Sequence, residues 1–115
     1  MYLEEQLVNI INLSNTYIGD SPIAVDNCQW IRTSSGMSRT YFGKENYDYP
    51  VFSIYIRGTD NKEVSQRAYD IYTRIRNWSD SISGLIARRD PRYIGRDDKY
   101  RSIYTFQLEF QTGGY

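Results

Sequence analysis

Pro50-Val51-Phe52-Ser53-Ile54-Tyr55-Ile56-Arg57-Gly58, running on through Asp60 into the segment that ends at Trp78, decides the fold. Phe52, Ile54 and Ile56 alternate with Val51, Ser53, Tyr55 and Arg57, the period of two expected of a strand. The first set makes an apolar face. The second is mixed enough to be partly covered. Gly58 breaks the strand. Asp60-Asn61-Lys62-Glu63 fits a capping box, with Asp60 as N-cap and Glu63 reaching back to it. The helix that follows places Val64, Ala68, Ile71, Ile75 and Trp78 on one stripe. Its other face carries Lys62, Gln66, Arg67, Asp70, Arg74 and Arg76, and the spacing predicts ion pairs of Asp70 with Arg67 and Arg74.

Upstream, Leu3, Leu7, Ile10 and Ile11 recur at helical spacing, with Glu4 and Glu5 where they suit the helix dipole. This predicts a helix over Leu3–Asn15, ended by the polar run to Asp20. Ile23-Ala24-Val25 and Gln29-Trp30-Ile31-Arg32 read as short strands. Thr33 to Tyr49 reads as a long connection, carrying Tyr41 and Phe42 as its apolar pair. Downstream, Gly84 to Arg89 reads as a strand stopped by Asp90-Pro91, and Tyr93 to Arg101 as a polar turn. Tyr104, Phe106, Leu108 and Phe110 alternate through the last strand, which should pair with the segment at Gly84 to Arg89. Gln111 to Tyr115 is a tail. The expectation is a single domain over residues 1–115 with an α+β fold. It has two layers: a mostly antiparallel sheet with both helices packed on one face. Leu7, Ile10, Ile54, Ile56, Val64, Ala68, Ile71, Ile75, Trp78, Phe106 and Leu108 should form the core.

Composition narrows the function classes. The chain of 115 residues is formally neutral, with 14 basic and 14 acidic side chains, so it lacks the basic excess of a general nucleic-acid binder. It has no histidine, the commonest general base and metal ligand. Its one cysteine, Cys28, has no intrachain partner, fits a reducing compartment and reads as a buried thiol. The first residues lack a signal-peptide charge pattern, and no apolar run reaches membrane-spanning length. Tyrosine is abundant at 12 residues, and arginine outnumbers lysine 11 to 3. Both are residues favoured in protein–protein interfaces.

No catalytic constellation emerges. Asp90, Asp97 and Asp98 match no metal-loop spacing. Ser34, Ser35 and Ser38 have no base to activate them. Gly58 alone is too little for a phosphate loop. The one locally basic stretch is Arg88, Arg89, Arg92, Arg96 and Arg101, interleaved with Tyr93 and Tyr100 and diluted by aspartates. It reads as a hairpin rim, with a protein-contact rim as the functional alternative. The candidate interface residues are therefore Tyr41, Phe42, Arg88, Arg92, Tyr93, Arg96, Asp97, Tyr100, Arg101 and Tyr115. No cofactor is expected.

Several of these segments together resemble the tail-terminator or minor capsid (head–tail joining) proteins of long-tailed bacteriophages. They are the strand Pro50 to Gly58, the helix segment Ala68-Tyr69-Asp70-Ile71-Tyr72, the turn Tyr93 to Asp98 and the closing strand Tyr104 to Phe110. The resemblance covers about Tyr49 to Phe110, and Thr33 to Tyr49 departs most from it. It implies a non-enzymatic virion protein of the tail or neck, assembled in the host cytoplasm. It also implies a homo-oligomeric ring, commonly a hexamer, between the tail tube protein and a head-completion protein, with DNA passing through the lumen. A head-closure or connector subunit of the same neck is the near alternative. A small non-catalytic nucleic-acid-binding or adaptor domain is the distant one.

Overall fold

In the computed structural model, which describes residues 3–34, 51–79, 85–87 and 90–110, the decisive segment lies in the middle of the sheet. The elements run α1 (Leu3–Ile11), β1 (Thr16–Ile18), β2 (Cys28–Ser34), β3 (Val51–Gly58), α2 (Asn61–Ser79), β4 (Leu85–Ala87), β5 (Arg92–Arg96) and β6 (Ser102–Phe110). The six strands of the described residues are ordered β1-β2-β3-β6, and the far edge of β6 is taken by β4 and β5. Ala87 stands opposite Leu108 and Arg92 opposite Thr105, so β4 and β5 follow one another along that edge. All pairings are antiparallel except β1 with β2.

The register puts Ile31, Ile54 and Phe106 in one row across the sheet, with Phe52 opposite Leu108 beside it. These residues share one core with Leu7 and Ile11 of α1 and Val64, Ala68, Ile71, Tyr72 and Ile75 of α2. Both helices therefore cover the same face, and the expected two-layer α+β architecture holds. Ile10 and Trp78, expected in the core, are partly buried at its margin. Of Phe110 only the backbone is described.

Four expectations change. First, α1 stops at Ile11 rather than Asn15. Asn12 adopts a left-handed conformation (φ 52°) while its N–H donates to the Val8 carbonyl at 3.0 Å, a helix stop that asparagine tolerates. Second, Thr16–Ile18 is a strand and Ile23-Ala24-Val25 is not. Third, Asp60 caps α2 through Lys62 N–H (3.1 Å), but Glu63 pairs with Arg67 (3.4 Å) instead of reaching back. Fourth, the arginines of α2 tie elements together. Arg67 donates to the Arg57 carbonyl at 2.6 Å, Arg74 donates to the Ile11 carbonyl at the end of α1, and Asp70 accepts from Gln66 at 3.1 Å.

Gly58 explains how tightly β3 turns into α2. A Cβ there would lie 2.5 Å from Asn27 Oδ1 and 2.6 Å from Val64 Cγ2. Gly58→Ala should destabilise by about 1–3 kcal/mol through overpacking. Ile71→Ala, at a fully buried position, should cost about 2–5 kcal/mol. Urea unfolding checks both. A loss below about 0.5 kcal/mol at Ile71 would be a surface-like response and would place it outside the core.

Candidate functional site

The segment expected to be a polar turn begins as strand, from Tyr93 to Arg96: β5 and β6 form a hairpin with Asp97 to Arg101 at its end. Asp97 N–H donates to the Arg101 carbonyl and Tyr100 N–H to the Asp97 carbonyl, both at 3.0 Å. Tyr100 takes a left-handed conformation (φ 61°). This is a three-residue loop closed by a left-handed residue, a position glycine usually fills. One Asp97 oxygen accepts from the N–H groups of Lys99 (3.0 Å) and Arg101 (2.9 Å), and the other from Arg101 Nε at 2.8 Å. Asp97 is thus the internal brace of the turn.

Arg101 is buried, with its side chain 4% exposed. Besides Asp97 it reaches the carbonyls of Ile23 (2.9 Å) and Val25 (3.3 Å) and the carboxylate of Asp26 (3.3 Å). Arg57, near the end of the neighbouring strand β3, donates to the carbonyls of Pro22 and Val25 and lies over the Trp30 ring, 5.2 Å from its centroid. Trp30 in turn stacks on Tyr55 at 5.1 Å. The segment Ser21–Asn27 is therefore held against the face of the sheet opposite the helices by two guanidinium groups. Burial pushes the Cys28 thiol up, against the pull of Arg57, Arg67 and Arg101, so it stays protonated and packs as a small apolar group.

The remaining candidates separate cleanly. Arg92, Tyr93, Arg96 and Tyr100 are exposed, Tyr100 most of all at 76%. Tyr93 leans on Tyr104 across the hairpin at 5.4 Å. Asp97 and Arg101, also expected as contact groups, are engaged inside their own chain, where they brace the turn. Tyr41, Phe42, Arg88 and Tyr115 lie outside the described residues. The sequence reading passed over Ile94. It is the extra residue of a β-bulge between Tyr93 and Gly95, and it stands 48% exposed. Gly95, left-handed at φ 120°, was the available signal for a bulge.

The brace makes a pH prediction. Burial raises the Asp97 pKa, but hydrogen bonds from Arg101 and Lys99 and the Arg101 charge outweigh it and hold the carboxyl below its usual value. A depressed folded pKa stabilises fully above the unfolded value, about 3.9, and the contribution fades as pH falls through the folded value. Asp97→Asn should therefore be less stable than the parent at neutral pH, with the gap closing only below about pH 4. Urea unfolding of both across pH checks it. A gap unchanged down to the most acidic folded conditions would remove the charge from the account.

The geometry is that of a braced, outward-facing hairpin edge. A protein-family model for Bacteriophage tail terminator protein matches residues 4–112, from α1 to just beyond β6. Comparison with curated proteins returns no match. With the family model spanning both helices and the whole sheet, the chain belongs to the bacteriophage tail terminator proteins, structural components of the virion tail.

Proposed function

We propose that this chain forms a ring, commonly a hexamer in proteins it resembles, that caps the phage tail tube, stops its growth and joins it to a head-completion protein. DNA passes through the lumen without sequence-specific contact, and no chemical step is catalysed. Family membership supports the terminator role. The assembly role is carried by one observation: Arg92, Tyr93, Ile94 and Arg96 of β5 are all exposed although the strand is paired in the sheet. Apolar and planar cationic side chains gathered on a rigid edge suit a contact that excludes water. Tyr100 adds to this. A non-glycine residue in the left-handed region costs roughly 1–2 kcal/mol, and here it presents an exposed phenol ring at the hairpin tip. On sequence grounds the proposed contact surface extends to Tyr41, Phe42, Arg88 and Tyr115.

A phage lacking the gene should make tails of uncontrolled length that do not join heads, visible by electron microscopy. Arrest with tails of normal length would instead assign the chain to head closure or a connector. Arg96→Ala should leave monomer stability within about 0.5 kcal/mol of the parent, as for an ordinary surface change. It should nonetheless reduce joined particles. Parent-like yields and salt resistance would reduce β5 to a solvated rim.

A further inference from the structure

The formal neutrality of the chain hides a separation of charge along the sheet. From Met1 to Ile31 there are four acidic residues, Glu4, Glu5, Asp20 and Asp26, and no lysine or arginine. This segment builds α1, β1 and the Ser21–Asn27 turn, with β1 as one edge of the sheet. Asp26 is engaged by Arg101, but Glu5 and Asp20 are exposed. The first base, Arg32, lies one strand in. At the opposite edge β5 carries Arg92 and Arg96 and no acid. Of the acids around it, Asp97 is paired with Arg101, Asp90 bonds the Tyr72 hydroxyl, and Asp98 is exposed beside Lys99 in the turn. Each edge also exposes apolar side chains, Ile18 (52%) on β1 and Tyr93 (49%) and Ile94 (48%) on β5.

Resting on the ring reading above, we propose that the partner of the β5 edge is the β1–α1 edge of a second copy of this chain. Arg92 and Arg96 of one copy face Glu5 and Asp20 of the next, and Ile94 and Tyr93 pack against Ile18. The two patches differ and sit at opposite ends of the strand order, so the contact is heterologous. Repeated, it closes a ring or continues as a filament. Strand addition does not make this contact. β1 has only three residues, and β5 is broken by the bulge at Ile94 and the left-handed Gly95, devices that blunt an edge. Side chains do the joining, so the contact weakens as salt screens the charges.

Charge reversal tests it in the full-length protein by analytical ultracentrifugation over a concentration series at low and high salt. Arg92→Glu with Arg96→Glu makes both edges acidic, and Glu5→Lys with Asp20→Lys makes both basic. Each variant alone should lose self-association while keeping a parent-like circular dichroism spectrum. An equimolar mixture should regain it, because acidic and basic copies then alternate. Two results overturn the edge pairing and leave the ring reading standing: variants that assemble like the parent, or a mixture that stays as dissociated as its components. A parent that stays monomeric to millimolar concentration at low salt, yet still terminates tails in infected cells, also overturns the pairing. If a variant loses its folded spectrum, Arg92→Gln with Arg96→Gln and Glu5→Gln with Asp20→Asn replace the reversals. Each neutral pair should lower association at least tenfold, and parent-like association would sink the proposal.

Discussion

Two buried guanidinium groups hold the Ser21–Asn27 segment, which belongs to no helix or strand. Arg57 and Arg101 are each 3% exposed, and between them they bind the carbonyls of Pro22, Ile23 and Val25. A buried charge is costly unless it is paired and its donors are filled. Arg101 meets that condition with two carboxylates, Asp97 and Asp26. Arg57 meets it only in part: one terminal nitrogen donates to the carbonyls of Pro22 and Val25 and the group lies over Trp30, while its buried Nε has no partner among the described residues. The same residues explain why both faces of the middle strands are covered: helices close one face, and the Ser21–Asn27 segment closes one end of the other. Arg67 extends the chain of contacts by donating to the Arg57 carbonyl, which couples α2 to the strand carrying this clasp.

That clasp also sets the hairpin. Arg101 begins the return into β6, so fixing its guanidinium fixes the turn, and Asp97 locks the turn from within. α2 secures the hairpin's other end, where Tyr69 reaches the Pro91 carbonyl and Tyr72 packs edge-on against Phe106 at 5.3 Å. β5 is thus held at both ends while its side chains stay exposed. A rigid surface loses less entropy on association than a flexible one, so this arrangement favours binding without adding a contact.

What the residues disclosed unaided follows from periodicity. The stripe of α2 and the alternation in β3 and β6 are repeated enough to give element and face, whereas the pairing of β3 with β6 comes only from the structure. β1 was hidden because Tyr17 and Ile18 extend the helical spacing of α1, which the left-handed Asn12 and Asn15 break. Ile23-Ala24-Val25 has strand-like composition, but its carbonyls are taken by arginines distant in sequence, a tertiary effect that local propensity cannot report. β5 was read as turn because Gly95 and its charges mask the pairing. The site was half legible for the same reason. Arg92, Tyr93, Arg96 and Tyr100 stand where a rim was expected. Arg101 looks identical in sequence and differs only because a segment about 75 residues earlier folds over it.

On the reading proposed above, the edges of the sheet connect this architecture to growth control. An open, flat edge would recruit strands indiscriminately, a hazard for a subunit that must stay soluble until it meets its site. Here one edge, β1, is too short and the other, β5, is bulged and carries two arginines and no acid. Main-chain pairing is therefore disfavoured at both ends, and association depends on side chains that must match in charge as well as shape. Such matching discriminates among partners more than it strengthens any one of them, because misplaced like charges repel. On the proposed reading, a protein that ends an assembly needs that discrimination, and the short β1 and bulged β5 favour it by discouraging strand addition at these two described edges.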